Sequence, residues 1–158
     1  MPCLFCQIAA GKVPATRLYE DDKVVAFLDI CPIRPGHTQI IPKEHHPYFD
    51  DLPSLTAQRI MAVAQELSRT MKRLYRVPRV AFLFTGGDVD HAHAHVVPMR
   101  EKTDITSRLY IAEETLTFRS TPRASKEELE GVAAALRGSF SFSSTREDSV
   151  QTPAETQC

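Results

Sequence analysis

Short runs of apolar residues, separated by turn-forming residues, predict several β-strands in the first hundred residues. Two of these runs flank Asp21-Asp22, a pair that suits the tight turn of a β-hairpin because aspartate tolerates turn geometry. A third run follows the breaker-rich turn at 31–36 and ends at Pro42. The predicted strands are residues 17–20, 23–29, 37–41, 80–85 and 91–98.

Two later segments carry the three- and four-residue apolar spacing of amphipathic helices. Ser54 is the expected cap of a long helix that reaches about Tyr75, with apolar positions at Ile60, Val63, Ala64, Leu67, Met71 and Leu74. Ser125 and Glu128 form a capping box before a second helix, whose apolar face carries Leu129, Val132, Ala133 and Leu136. Strands and helices together predict an α+β fold, in which an antiparallel sheet of about five strands packs against one long helix and a C-terminal helix.

Composition and charge are those of an ordinary domain and exclude several classes of protein. The chain has 158 residues, 42% of them apolar and 25% charged, which excludes a fully disordered, collagenous or coiled-coil protein. Its 19 basic and 20 acidic residues give a net charge of −1, so we expect no nucleic-acid partner. No apolar run approaches the roughly 18 residues of a membrane span, and the first residues lack the pattern of a secretory signal. Four cysteines without such a signal are typical of a reducing compartment, so we expect a cytoplasmic protein with no membrane partner.

A change in composition marks the expected end of the folded domain. After Gly138 the chain is rich in serine and threonine. Such a segment buries too little apolar surface to offset its ordering entropy, so we expect a disordered polar tail at 139–158. The domain would then occupy 1–138, with its core at 3–100.

The segment His91-Ala92-His93-Ala94-His95 concentrates three of the six histidines in five residues. Because alternate residues of a strand point to the same side, this spacing predicts that the three imidazoles share one face of the last strand, with successive Cα atoms about 6.6 Å apart. Imidazoles near pH 7 act as nucleophiles, proton carriers or metal ligands. Two other interpretations are open: ordinary polar residues on an exposed face, or a catalytic zinc site, which needs a third ligand and an open position.

Cys3 and Cys6 are separated by two residues, a gap that lets both thiolates reach one tetrahedral metal ion. The alternatives are a redox pair or two inert buried thiols. A redox pair of this spacing normally opens a helix after a strand, and no strand is predicted before Cys3. Cys31 and Cys158 are expected to be unpaired thiols.

The histidine-rich segment and several upstream motifs resemble those of one protein family. His91-Ala92-His93-Ala94-His95-Val96-Val97 is similar to the histidine triad motif, in which histidines alternate with apolar residues. The upstream order matches as well, through Leu4-Phe5-Cys6-Gln7-Ile8, Tyr19-Glu20-Asp21-Asp22, Ala26-Phe27-Leu28-Asp29-Ile30, Pro35-Gly36-His37 and Ile41-Pro42-Lys43-Glu44-His45. From Cys3 to about Arg100 the chain thus resembles the histidine triad (HIT) nucleotide hydrolases and transferases, in their Hint-like branch, and residues 1–138 would form a domain of HIT-like fold.

The resemblance implies a hydrolase of nucleoside phosphoramidates or phosphoanhydrides that releases a nucleoside monophosphate such as AMP. In that family the middle histidine, here His93, attacks the α-phosphorus and forms a nucleotidyl-histidine intermediate, which water hydrolyses. His95 would contact a phosphate oxygen and assist charge stabilisation or proton delivery, and His91 would support these two or bind metal. The implied partners are a purine nucleotide or nucleoside phosphoramidate and a second copy of the chain in a homodimer.

The resemblance also assigns residues that bind the nucleotide, in addition to His93 and His95. Asp29 would hold the ribose hydroxyls, although an aspartate before a turn often bonds its own backbone. The base pocket would be lined by side chains that could equally belong to the core, namely Phe5, Ile8 and Phe27.

The loop before the first histidine departs from the pattern of many family members. Asp88 stands where they carry the serine of Gly-Gln-Ser, and Thr85-Gly86-Gly87 replaces their Asn-Asn-Gly. An acidic side chain at this position would either repel phosphate or carry a proton, so the preferred leaving group does not follow from the resemblance. The altered loop keeps open a function of another class, that of a nucleotide-binding scaffold or regulatory protein whose turnover is weak or absent.

A structural zinc site is the last implication of the resemblance. Cys3, Cys6, His45 and His91 occupy the positions of a Cys₂His₂ site in zinc-binding members. Four protein ligands would make the zinc structural and leave His93 and His95 for the chemistry, which argues against the catalytic zinc site. His46, beside His45, is an alternative ligand.

Overall fold

The chain folds into a mixed arrangement of helices and strands, given by a computed structural model that describes residues 3–86, 89–101, 104–105 and 122–139. The helices are α1 (Leu4–Ala9), α2 (Ser54–Tyr75) and α3 (Lys126–Ser139), and a short 3-10 helix covers Phe49–Asp51. The strands are β1 (Arg17–Glu20), β2 (Val24–Leu28), β3 (Thr38–Pro42), β4 (Arg79–Phe84) and β5 (Ala94–Met99). Within these described residues, no helix is long and apolar enough to cross a lipid bilayer.

The strands form one sheet in the order β1-β2-β3-β5-β4, and every neighbouring pair is antiparallel. β1 and β2 make the predicted hairpin. Its turn is held by the carboxylate of Asp21, which accepts the backbone N–H groups of Lys23 and Val24, each at 2.8 Å. The predicted α+β class and five-stranded antiparallel sheet are confirmed.

The two faces of the sheet carry different apolar clusters, because side chains alternate along each strand. The main core lies between one face and the helices α2 and α3. The buried residues that the sheet contributes to it are Leu18, Val24, Ala26, Leu28, Ile40, Ala94 and Val96. On the other face, a smaller cluster joins Val25, Phe27 and Ile41 to residues of α1. Gln39 pairs with Phe27 and with His95 in the ladder, so these polar side chains stand beside the smaller cluster.

Both amphipathic helices form, but only one begins as predicted. The N-cap of α2 is Pro53, without a side-chain cap bond, and Ser54 is already helical. The proline ring fixes φ at −56° and thereby sets the entry to the helix, so the expectation that Ser54 caps it is wrong. The capping box of α3 is present: the Glu128 N–H donates to Ser125 Oγ at 3.1 Å, and the Ser125 N–H donates to Glu128 Oε2 at 2.7 Å.

The last strand begins three residues later than predicted, at Ala94, so only His95 of the three histidines lies in it. Its pairing with β3 ends at Ile40 and Ala94. Continuing the register would set Ala92 opposite Pro42, which has no N–H to donate. The Ala92 N–H bonds the carbonyl of His46 at 2.6 Å instead. The prediction that one strand carries all three histidines is therefore wrong, although the rings stay together: those of His91 and His93 both meet the ring of Phe5, and that of His93 lies beside His95.

Candidate active site and metal centre

Four side chains from three separate segments converge on one point beside α1. Cys3 and Cys6 come from the start of this helix, His45 follows β3, and His91 precedes β5. Their ligand atoms all lie within 4.8 Å of one another. His91 Nδ1 is 3.4 Å from Cys3 Sγ and 3.5 Å from Cys6 Sγ, and His45 Nδ1 is 3.3 Å from both Cys6 Sγ and His91 Nδ1. We call these four residues the Cys/His cluster.

The separations within the Cys/His cluster match the edges of a tetrahedral zinc site. Zinc–sulfur bonds of about 2.3 Å and zinc–nitrogen bonds of about 2.05 Å, at tetrahedral angles, give sulfur–nitrogen edges of about 3.6 Å and a nitrogen–nitrogen edge of about 3.4 Å. The corresponding distances here are 3.3–3.5 Å and 3.3 Å. The donor set and its geometry therefore fit a metal ion held by four protein ligands.

The contacts of His91 and His46 show which imidazole belongs to this cluster. His91 Nε2 lies 3.0 Å from the carbonyl oxygen of Pro42, which can only accept, so Nε2 carries the proton and Nδ1 is left for the cluster. Burial holds the pKa of His91 below its ordinary value, which keeps the ring neutral. His46 Nε2 instead lies 3.7 Å from the Glu44 carboxylate, and its side chain is not in the cluster, so the described geometry favours His45.

His93 is oriented by the backbone of His91. Its Nδ1 lies 2.7 Å from the His91 carbonyl oxygen, and since that oxygen can only accept, the proton sits on Nδ1. The other ring nitrogen, Nε2, then carries an unprotonated lone pair, as a nucleophile requires. The ring is buried, with 5% of the residue's surface exposed, and its centre lies 5.0 Å from that of His95.

His95 receives a hydrogen bond from His37, a residue to which the sequence assigned no role. The Ile33 N–H donates to His37 Nδ1 at 3.3 Å, so the proton of a neutral His37 sits on Nε2. Burial holds the pKa of His37 below its ordinary value and outweighs the carboxylate of Asp29, 3.7 Å away. His37 Nε2, 2.9 Å from His95 Nδ1, therefore donates to it.

The same reasoning places the proton of His95. Its Nδ1 accepts from His37, so a neutral His95 carries its proton on Nε2. That nitrogen lies 3.0 Å from Thr85 Oγ1, which accepts it. The site thus sets side by side one imidazole with an Nε2 lone pair, His93, and one with an Nε2–H donor, His95.

The turn that joins β2 to β3 holds His37 in place. Gly36 has a φ of 95°, and a Cβ at this position would lie 2.6 Å from the ring of Tyr75 in α2. Only glycine fits such a backbone and such a close approach. Beyond the turn, the Asp29 N–H bonds the carbonyl of His37 at 2.9 Å, which continues the pairing of β2 with β3.

Asp29 makes the local backbone bond that was one of its two interpretations, and a second bond as well. Its Oδ1 accepts the Cys31 N–H at 2.7 Å, and its Oδ2 accepts Gln39 Nε2 at 2.6 Å. An ionised carboxylate offers about four lone-pair sites, so two acceptor positions remain for other donors. With 13% of the Asp29 side chain exposed, the group lies at the surface of the site, beside the histidines.

Phe5, Ile8 and Phe27 are all buried and pack together with Val25 and Ile41. The rings of Phe5 and Phe27 meet edge to face, with centres 5.9 Å apart, and the Phe5 ring also meets that of His93 at 5.2 Å. They are therefore core residues of the smaller cluster and, at the same time, neighbours of His93. Asp88 lies outside the described residues, as do 140–158 of the predicted tail.

Three residues of the site were missed in the sequence: His37, Gln39 and Thr85. His37 stands in the Pro35-Gly36-His37 motif, and Gln39 follows two positions later, which is the spacing of side chains on one strand face. Thr85 appeared only as a departure from the family's pattern. Their contacts join β2, β3, β4 and β5, and a pattern read along the chain does not show which strands are neighbours.

The fold and the site define an α+β protein in which two imidazoles, which carry their protons on different ring nitrogens, lie beside the Cys/His cluster. A sequence model of the HIT domain matches residues 10–102. The chain belongs to the HIT family, as its resemblance predicted. It is 35% identical to an uncharacterized HIT-like protein of Methanocaldococcus jannaschii over 103 residues, 63% of this chain and 80% of that one. It is also 36% identical to an adenosine 5'-monophosphoramidase of Saccharomyces cerevisiae, over 63% of this chain and 64% of that enzyme.

Solved structures of the family share the fold. A Zn-bound histidine triad family protein from Mycobacterium smegmatis superposes with a TM-score of 0.66 at 33% identity, over 87% of this chain and 95% of that one. A HIT-like protein from Bartonella henselae gives a TM-score of 0.72 at 24% identity, over 88% and 96% of the two chains. The predicted HIT-like fold is therefore confirmed.

Proposed function

We propose that the protein hydrolyses nucleoside phosphoramidates or phosphoanhydrides and releases a nucleoside monophosphate such as AMP. The observation that carries this proposal is the bond from His93 Nδ1 to the carbonyl of His91, which leaves Nε2 as a lone pair beside the Nε2–H of His95. Two relatives, in Saccharomyces cerevisiae and Schizosaccharomyces pombe, are named adenosine 5'-monophosphoramidases at 36% and 33% identity.

In the first half of the reaction, His93 Nε2 forms a bond to the α-phosphorus. The bond to the leaving group breaks, its electron pair goes to the leaving nitrogen or oxygen, and that atom carries a proton taken from solvent. His93 keeps its Nδ1 proton and becomes cationic. The His91 carbonyl oxygen, 2.7 Å away, stabilises that charge, and a cationic imidazole is in turn a good leaving group for the second half.

In the second half, water attacks the phosphorus and the bond to His93 Nε2 breaks. The electron pair returns to Nε2, the proton lost by water goes to solvent, and the nucleoside monophosphate leaves. Throughout, the Nε2–H of His95 would donate to a phosphate oxygen in place of Thr85 and stabilise the charge that builds there. A neutral His95 whose Nδ1 is occupied by His37 fits charge stabilisation better than proton delivery.

The rest of the nucleotide would bind along the same face of the sheet. The remaining acceptor positions of Asp29 suit the two ribose hydroxyls, and the apolar cluster of Phe5, Ile8 and Phe27 suits a purine base. Asp88 would complete the phosphate end of the site, and its influence on the leaving group stays a prediction.

Zinc would be held by the Cys/His cluster. With four protein ligands the ion has no open position for water or substrate, so the chemistry it would supply is a cross-link between α1, the segment after β3 and the segment before β5. We assign it a structural role on this ground.

The homodimer and the cytoplasmic location also stay predictions. Among the strands that the structure describes, β4 lies at one end of the order, so one of its edges faces away from the other four strands. The exposed Phe82 of this strand offers an apolar side chain to a second copy of the chain.

The test is mass spectrometry of the protein mixed with adenosine phosphoramidate and quenched without acid, because the phosphorus–nitrogen bond is acid-labile. The expected result is a mass gain of one AMP that is absent in His93→Ala, with circular dichroism showing that this variant is still folded. AMP release at wild-type rates by His93→Ala contradicts the mechanism. If the protein binds AMP but forms no adduct and releases no AMP, the result favours the second candidate, a nucleotide-binding scaffold. The altered loop at Thr85-Gly86-Gly87 also favours that candidate.

A further inference from the structure

Helix α1 has too few internal contacts to fix its own position. It has six residues, and its N-cap, Cys3, makes no side-chain cap bond. Helices this short are unstable alone in water and depend on tertiary anchors. At its C-terminal end, Arg17 Nη2 donates to the carbonyl of Ile8 at 2.6 Å. At its N-terminal end, the corresponding anchors are the thiols of Cys3 and Cys6 in the Cys/His cluster.

Phe5 lies between these two cysteines in the sequence, and its ring transmits a shift of α1 to His93. Its ring centre lies 5.2 Å from that of His93 and 5.9 Å from that of His91, with edge-to-face geometry in both cases. A movement of α1 by one ångström would therefore open a gap beside His93, or press on its ring, because buried groups are packed without slack.

His91 links the Cys/His cluster to His93 by a second route. Its Nδ1 belongs to the cluster, while its backbone oxygen accepts the Nδ1 proton of His93 at 2.7 Å. The ladder between β3 and β5 ends at Ala94, so it does not fix this oxygen. What holds it are the side chain of His91 and two backbone hydrogen bonds, from the His91 N–H to the carbonyl of Val89 at 2.8 Å and from the Ala92 N–H to the carbonyl of His46 at 2.6 Å.

We propose that the Cys/His cluster is a positioning device for the nucleophile: a divalent metal bound there fixes the tautomer of His93 and the place of Phe5, and metal loading thereby sets nucleotide affinity and reactivity. His91 is on this account a positioning residue and not a catalytic one. The expected effect of metal loading on reactivity rests on the proposed function. The expected effect on the His93 tautomer does not, since the tautomer is measured without nucleotide.

The experiment compares zinc-loaded and metal-stripped protein at one fixed pH. Nitrogen NMR of the histidine rings reports which nitrogen of His93 carries the proton, and calorimetry reports the Kd for AMP. We expect a single Nδ1–H tautomer in the loaded protein and a mixture in the stripped one, with AMP affinity lower by about tenfold or more. Cys31→Ser, which removes an exposed thiol outside the cluster, is the matched control and should behave as the wild type.

Circular dichroism shows whether the stripped protein remains folded. If it is folded and both its His93 tautomer and its Kd equal those of the loaded protein, the proposal is wrong. If the stripped protein unfolds, the zinc-loaded variant His91→Cys tests the proposal instead. A Cys₃His set still binds zinc, while the shorter side chain displaces the backbone carbonyl at position 91. We expect this variant to keep its zinc, lose the single tautomer and form the AMP adduct roughly 100-fold more slowly; an unchanged tautomer overturns the proposal. A loaded wild type that shows the single tautomer but does not bind AMP counts against the proposed function alone.

Discussion

His37 and His95, 58 residues apart in the chain, meet with 2.9 Å between Nε2 of the first and Nδ1 of the second. Because the Ile33 N–H occupies the other nitrogen of His37, the proton between the rings belongs to His37. His95 then keeps its own proton on Nε2, which makes that nitrogen a donor, as a phosphate-binding imidazole requires. The direction of each of these hydrogen bonds therefore follows from one backbone amide, that of Ile33, which fixes the proton of His37.

Replacing His37 by leucine should lower kcat with little effect on AMP binding. Without a donor at Nδ1, His95 is free to move its proton there and would turn a lone pair toward the phosphate. Loss of one such donor costs roughly 100-fold in kcat. Steady-state kinetics with adenosine phosphoramidate measure the loss, and His37→Gln, whose amide can still donate, should recover part of it. Equal rates in wild type and His37→Leu would show that His37 does not set the proton of His95.

Protein stability should depend on pH through the same residue. Burial holds the pKa of His37 below its ordinary value near 6.5, although Asp29 faces one ring nitrogen and His95 the other. The unfolded chain therefore takes up a proton near pH 6.5 that the folded protein does not. The free energy of unfolding should fall as pH decreases from about 7 toward the folded-state pKa, and level off below it.

Urea denaturation at several pH values between 7.5 and 5 measures this dependence. His37→Gln removes the titrating group, so its free energy of unfolding should fall less steeply over the same range. A slope equal to that of the wild type would mean that other groups cause the dependence. The difference between the two proteins isolates His37, because the remaining histidines are common to both.

The strand pattern predicted the fold correctly and failed at the place where the site begins. Alternation holds from Ala94 onward because β3 and β4 pair with β5 on both sides. The strand does not extend back to His91 and His93, because Pro42 stops the ladder and the segment bonds His46 instead. The failure has a chemical consequence: His91 turns to the Cys/His cluster, and only His93 and His95 stay side by side.

The Cys/His cluster was predictable from the sequence, while the hydrogen bonds around His95 were not. The two-residue gap between Cys3 and Cys6 is a local signal, and the resemblance supplied His45 and His91. The Pro35-Gly36-His37 motif marks His37 but not its contact with His95, and no local signal marks Thr85, because both contacts depend on how β3, β4 and β5 lie beside one another. The positions of the protons are even harder to predict from the sequence, because each one depends on which group donates to the neighbouring ring nitrogen.

Asp29→Asn should weaken nucleotide binding through the ribose. Asparagine keeps one acceptor oxygen, but its NH₂ group meets Gln39 Nε2, a donor, where a carboxylate oxygen now accepts. We expect the Kd for AMP to rise by about tenfold. The Kd for 2',3'-dideoxy-AMP, measured by the same calorimetric titration, should change much less. An equal loss for both nucleotides would place Asp29 in support of the turn at Cys31, with no direct role toward ribose.

Metal analysis should find about one zinc per chain in protein purified without chelator. Cys3→Ser and Cys6→Ser should each lose it, because a hydroxyl is a poor replacement for a thiolate ligand. His45→Ala should lose it as well, whereas His46→Ala and Cys31→Ser should keep it, since neither side chain is in the cluster. Zinc retained in His45→Ala but lost in His46→Ala would exchange the roles of the two neighbours.

Phe82→Lys should convert a dimer into monomers. β4 ends the order of the described strands, and Phe82 is 37% exposed on it, beside the rings of Phe84 and Phe49, which are tilted at 46° to each other. A charge at this position would be buried without a partner if β4 meets a second copy, which costs several kcal/mol. Light scattering after size exclusion measures the mass, expected near twice 17.7 kDa for the wild type. Ile33→Lys, an equally exposed apolar residue in the turn between β2 and β3, is the control and should remain dimeric. A dimer that survives Phe82→Lys would exclude β4 from the interface.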